Sequence, residues 1–398
     1  MPNLPKPNNM RSFQLLSVAA AAAPALADSH YFFSGFFSGS TIVGVEFDDQ
    51  TESLTLKNNI STDASSGSKW IHIDSRLKNL YVGTTGYFQS YAITDDLSLT
   101  YSSNVSLSSD CSNANYITSS SASPYTVFGT PYGGGCSSLA ITVDDAGVLQ
   151  EATANVTYDS AGGVHGTWMS PNNDFIYSAD DMGNAVWAHS YDNTTGEVTE
   201  VQYLAAAEGS NPRHLTVHPN GNWVYVVYEE ANSIASYKRD TTTGKLTFTN
   251  TTYSLLPSGY TNTSSYWADE VMFSIPSSNA SATAPKYLIA ATRSRTVGVP
   301  GYVSAFSLDS TTGAITEQLF LTPTTNSGGS ANAVSPAKFS EDYFAITDSG
   351  SNFLEVWKID ATGSSTTAAA VAHLALASGP ANVVCVYLDR KRTALRVL

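Results

Sequence analysis

Four residues of this 398-residue chain carry the side chains needed for acid–base chemistry on an anion, and their offsets from nearby landmarks repeat. His165 stands six residues before Pro171, and Arg213 stands six before Pro219, 48 residues further on. Glu229 follows Trp223 by six, and Arg293 follows Tyr287 by six. An imidazole titrates near neutral pH and a carboxylate can be tuned by burial, so His165 and Glu229 are candidates for moving a proton. A guanidinium fork holds a carboxylate through two parallel charge-assisted bonds and stabilises developing negative charge, the role expected of Arg213 and Arg293. Each has a plainer use when taken singly: Arg213 with Glu229 as a rim salt bridge, and His165, flanked by Gly162-Gly163 and Gly166, as a satisfied histidine.

The elements that must position them are short. The stretch "SNPRHLTVHPNGNWVYVVYEEANSIASYKRDTTTGKL" reads as strands over 215–218, 223–228 and 233–238 separated by Gly/Asn/Asp turns, and "KLTFTNTTY" supplies a fourth strand. The third strand and its turn recur seven times, as in "VWAHSYDNTTG", "VSAFSLDSTTG" and "LEVWKIDATG". Anchors at Ser53, Leu97, Gly147, Gly196, Gly244, Gly313 and Gly363 are spaced by 44 to 50 residues except for one gap of 69. Repeats of that length with four short strands each predict an all-β, seven-bladed β-propeller. The long gap predicts an insertion around "SGYTNTSSYWADE" and "PSSNASATAP". The first blade lacks an innermost strand at the N-terminus, whereas "SGPANVVCVYL" aligns with "SNPRHLTVHP" and has no blade after it. The C-terminal strand is therefore expected to complete the first blade.

On such a ring, His165 and Arg213 begin innermost strands while Glu229 and Arg293 end second strands. Because these strands are antiparallel, all four belong at one mouth of the channel. The equivalents of Arg213 in other blades include Lys69, Asn332 and Asn382, and Asp181 matches Glu229. A residue needed only to build a blade would recur, so this variation suits an asymmetric ligand. Arg293 is preferred to Arg295 by its offset. His214 and His218 are read as packing or turn residues, since strand neighbours alternate faces. Trp267, Asp269 and Glu270 fall in the insertion, as candidates for lining or lidding the mouth.

Composition sets limits. The chain is 42% apolar and 13% charged, with a formal net charge of -15, so it can bury a large core and its surface opposes nucleic acid and anionic lipid. "SFQLLSVAAAAAPALA" after Arg11 reads as a secretory signal, which divides the chain into an N-terminus and signal over 1–27, the propeller over 28–386 and an atypical basic tail over 387–398. No segment has the length of a spanning helix, and the mature protein is expected to be secreted. Sequons at Asn59, Asn104, Asn155, Asn193, Asn250, Asn262 and Asn279 fit that route. Cys111 and Cys136 can form one disulfide, leaving Cys385 single, and the spacing resembles no zinc site.

At "NPRHLTVHPNGNWVYVVYEE", "GGVHGTWMSPNNDFIYSADD" and "YLIAATRSR" the sequence resembles the seven-bladed propeller lactonase family, and within it the branch of fungal carboxy-cis,cis-muconate cyclases. The resemblance implies a cycloisomerase that needs neither cofactor nor metal. It places the functional His, Arg, Glu and Arg on His165, Arg213, Glu229 and Arg293, acting on a small anionic or lactone substrate. His165 is favoured as the acid, with Glu229 the other candidate. Hydrolysis of a small lactone by the same residues, or a non-catalytic binding propeller, are the alternative readings.

Overall fold

A turn with two parts punctuates every repeat that ends in D-x-x-x-G. Asp192, Asp240 and Asp309 each accept two backbone N–H bonds from the residues that follow, and Gly196, Gly244 and Gly313 take φ of 78°, 72° and 82°, where a side chain would be strained. This turn folds the fourth strand of a blade back on the third. The computed structural model describes residues 1, 29–62, 67–159, 162–260, 262–274 and 284–386. Among these, 28 strands form seven four-stranded antiparallel sheets arranged as the blades of a propeller. The leader, the sequon at Asn279 and the basic tail lie outside the described residues.

Each blade hides its faces against its neighbours, and the buried apolar residues fall into seven clusters, one per blade junction. The junction of the fourth and fifth blades, for example, packs Tyr177, Ala179 and Val186 against Leu215, Val224 and Val226. Hydrogen bonds tie several junctions as well: buried Tyr81, Tyr177 and Tyr225 on second strands donate their hydroxyls to the carbonyls of Gly147, Gly244 and Gly313 in the next blade's turn. The ring closes as expected. Pro380–Val386 pairs antiparallel with Ser29–Phe36, matching Phe32 to Cys385 and Phe33 to Val384. Cys111 and Cys136 are joined as a disulfide, and Cys385 is buried and free.

Candidate active site

The innermost strands of four consecutive blades share an irregularity at the same end of the channel. Pairing of Ala114–Ser119 with Val127–Pro131 skips Asn115, and the corresponding pairings in the next three blades skip His165, Arg213 and Asp269. Each skipped residue is the extra one of a β-bulge, which leaves the ladder and re-aims its side chain. Four different polar side chains are thereby turned toward one mouth from four blades.

Two of them, Arg213 and Asp269, join Glu229, in the turn just after Trp223–Tyr228, and Arg293, on Tyr287–Ser294, in a closed quartet. Arg213 reaches Glu229 Oε1 at 2.9 Å and Asp269 Oδ1 at 3.0 Å. Arg293 reaches the same two atoms at 2.7 and 2.6 Å. Two guanidinium and two carboxylate groups alternate, so the buried charge is compensated, as burial demands. Burial works to raise the Asp269 pKa, but Arg293 and Arg213 outweigh it and hold the carboxyl below its usual range. For Glu229 burial wins over the same two arginines and pushes the carboxyl up. Asp269 Oδ2 is fixed by the backbone N–H of Asn332, whereas Glu229 Oε2 has no partner among the described residues.

Beside the quartet stands a line of three groups. His165 Nδ1 is 2.9 Å from His214 Nε2, and His214 Nδ1 is 2.8 Å from Glu270 Oε2. The approach of Glu270 is oblique and falls outside ordinary hydrogen-bond angles, yet neither atom has another partner. The 2.8 Å separation would admit one proton between the two atoms after a small rotation of the Glu270 carboxyl, an arrangement that would satisfy both. Burial, then Arg213, holds both imidazoles well below the usual histidine range, and burial with Asp269 pushes Glu270 well above the usual carboxyl range. The rings of Trp70 and Tyr116 pack on His214, and that of Tyr132 packs on His165.

The structure thus brings His165, Arg213, Glu229 and Arg293 to one mouth. Arg293 lies in the quartet, while Arg295 is exposed and bonds the Ser264 carbonyl. Trp267 lines the mouth with its ring against the Arg293 guanidinium, 5.0 Å from ring centre to Cζ. Two expectations need correction. His214 is not a packing residue: the bulge at Arg213 breaks strict alternation and lets two successive side chains reach the site. Trp267, Asp269 and Glu270 are not in an insertion but on Tyr266–Phe273, the innermost strand of the sixth blade. A proline signal was present but one residue out of register: Pro276 follows Glu270 by six, whereas the residue equivalent to His165 and Arg213 is Asp269. Lys69, at the register of Arg213 in the second blade, donates to Asn113 Oδ1, and burial lowers its pKa. A separate groove of about 510 Å³ between the fourth and fifth blades, lined by residues such as Leu204, Tyr237 and Phe248, shares no residue with this cluster.

Known proteins agree with this architecture. The chain is 28% identical over 338 residues to a carboxy-cis,cis-muconate cyclase of Neurospora crassa, covering 80% of this chain and 88% of that protein. It is 29% identical over 217 residues to muconate cycloisomerase 1 of Cutaneotrichosporon cutaneum, covering 51% of this chain and 54% of that one. Among solved structures, the periplasmic gluconolactonase of Pseudomonas aeruginosa superposes with a TM-score of 0.74 at 16% identity, over 91% of this chain and all of that one. Residues 32–318 match the family described as Lactonase, 7-bladed beta-propeller, and the chain belongs to that family.

Proposed function

We propose that the protein is a metal-independent cycloisomerase that closes a carboxylated cis,cis-muconate to its muconolactone. The observation that carries this reading is the buried quartet of Arg213, Glu229, Arg293 and Asp269 set beside an imidazole, His165, whose Nε2 has no partner among the described residues. The relationship to a carboxy-cis,cis-muconate cyclase over most of both chains supports it.

In the reaction one carboxylate oxygen forms a C–O bond to an alkene carbon. The π pair moves toward the carboxylate conjugated with that alkene, and the α-carbon then takes a proton. Arg213 and Arg293 stabilise the enolate-like charge, and because Glu229 Oε1 and Asp269 Oδ1 already fix both forks, little reorganisation accompanies its appearance. His165 Nε2 delivers the proton, while Glu229 orients the guanidinium groups. The quartet has no net charge, so Lys69, with no carboxylate partner among the described residues, supplies the attraction for a further substrate carboxylate.

Loss of the conjugated-diene absorbance on mixing purified protein with 3-carboxy-cis,cis-muconate tests this, with His165→Ala expected to lower kcat by about 10² to 10⁴. The family's lactonase members favour one second reading, lactone hydrolysis at the same residues. Acid release from a panel of lactones without diene turnover would select it. We also propose that the protein is exported and glycosylated. Six sequon asparagines, Asn59, Asn104, Asn155, Asn193, Asn250 and Asn262, are exposed, and a disulfide fits an oxidising compartment. A mobility shift of the secreted protein on glycosidase treatment is the expected result.

A further inference from the structure

The tautomers of the His165–His214–Glu270 line follow from one side chain. Asn115 Nδ2 lies 3.2 Å from both the His165 carbonyl oxygen and His165 Nδ1. A carbonyl oxygen accepts only, so this amide end is the NH2 group, and an NH2 group 3.2 Å from His165 Nδ1 favours the tautomer with no proton there, the single Nδ1 lone pair being shared between Asn115 Nδ2 and His214 Nε2. The proton in the 2.9 Å contact between the rings therefore sits on His214 Nε2. Neutral His214 then has a lone pair at Nδ1, which faces Glu270 Oε2 at 2.8 Å without hydrogen-bond geometry, and a Glu270 carboxyl turned onto that lone pair would be the donor.

From this arrangement, and resting on the cycloisomerase reading, we infer that Glu270 is the proton source for His165, acting through His214 in a relay that passes through neutral groups only. As His165 Nε2 gives its proton to the substrate α-carbon, His165 Nδ1 takes the proton of His214 Nε2, and His214 Nδ1 takes that of Glu270. The substrate gains one proton, Glu270 ends as a carboxylate, and both rings end neutral in the opposite tautomer. One proton from solvent resets the line. His165 touches the substrate, whereas His214 and Glu270 are positioning residues that act through it.

The surroundings favour neutral rings. Arg213 and Arg293 face both imidazoles and oppose an imidazolium. Asp269 and Asp181 face His214 from the other sign. Asp269 opposes ionisation of Glu270 and Arg213 favours it, while the Tyr116 hydroxyl is near enough to Glu270 to sense its charge. A protonated His165 would be a costly acid here; a neutral one replenished by a carboxyl is not.

The test compares wild type, E270Q and E270D. The amide of E270Q can still donate to His214 Nδ1 but cannot release a proton. Turnover of 3-carboxy-cis,cis-muconate by E270Q is expected to show kcat about 10²-fold lower, KM unchanged and the basic limb of the kcat–pH profile absent, with part of the rate regained in E270D. E270Q kcat within about twofold of wild type with the limb retained would overturn the relay. In parallel, 15N NMR of the imidazoles is expected to show both rings neutral with Nε2 protonated near neutral pH, moving together to the Nδ1-protonated form as pH rises in wild type but not in E270Q. An imidazolium ring, or identical behaviour in the two proteins, would also overturn it. If wild type turns over neither the muconate nor any lactone, the functional reading fails, and the NMR measurement still decides the relay.

Discussion

Lys69 differs from Arg213 and Arg293 in bonding an amide oxygen where they bond carboxylates. Replacing it with methionine keeps the apolar stem and removes the charge, so Lys69→Met is expected to raise KM for a carboxylated substrate by roughly tenfold to a hundredfold, the loss of one charge-assisted hydrogen bond. kcat should change little, since nothing places Nζ at the reacting carbon; an unchanged KM would remove Lys69 from the binding mouth. Glu270 makes a different contribution, to stability. Its folded pKa is raised above the usual 4.5 by burial and Asp269, so the protonated form stabilises the fold fully below the unfolded value. That stabilisation is lost as pH rises through the folded pKa, at about 1.4 kcal/mol per pH unit within the window. E270Q lacks the term. The stability difference, wild type minus E270Q, measured by urea denaturation should therefore fall as pH rises above the ordinary carboxyl range. A difference that stays constant would mean that Glu270 is ionised throughout.

Bulges at the starts of the innermost strands decide which side chains can meet, and one glycine makes room for the closest meeting. A Cβ on Gly166 would stand 2.7 Å from His214 Cδ2 and 2.9 Å from the Arg213 carbonyl oxygen. Gly166→Ala must push His214 and its strand away from His165, breaking the 2.9 Å ring contact while removing no titratable side chain. The expected result is a fall in kcat comparable to that of E270Q with a modest loss of thermal stability; full activity in this variant would show that the ring contact is dispensable. The same element explains what the sequence could reveal. The D-x-x-x-G turns and the alternation of the strands made seven blades readable, and fixed offsets placed His165 and Arg213 at strand starts and Glu229 and Arg293 at strand ends. A bulge leaves no comparable trace: it inserts one residue into pairing that is visible only between strands. His214 was therefore assigned to the wrong face, and Asp269 and Glu270 were separated from the strand that carries them. The sixth blade was hardest to read because "YWADEVMF" begins without the Asn-Pro or Gly-Gly signals of its neighbours.

At the scale of the whole ring, the site depends on closure, because its residues come from four successive blades whose spacing the circle sets. The closing strand Pro380–Val386 does more than cover the edge of Ser29–Phe36. Asn382 accepts from Ile71 N–H and donates to the Ile71 carbonyl, both at 3.1 Å, so a residue of the last strand satisfies the inner edge of the second blade. Its own carbonyl accepts from Ser34 Oγ at 2.9 Å, and Val383 and Cys385 pack with Ala345 and Leu354 of the seventh blade. One strand thus joins three blades. Asn382→Ala strands two buried backbone groups, each costing about 1 to 3 kcal/mol, so a destabilisation of about 2 to 6 kcal/mol is expected in urea denaturation. A chain ending at Gly379 loses the whole strand and exposes the apolar edge Ser29–Phe36, which invites pairing between molecules. It is expected to aggregate, while a chain ending at Val386 remains folded. A synthetic peptide spanning residues 380–386 should bind that edge and restore solubility by adding a strand in trans. If the chain ending at Gly379 instead stays monomeric and unfolds at the denaturant midpoint of wild type, the ring does not need its clasp, and the alignment of the four bulges must be set by the blade junctions alone.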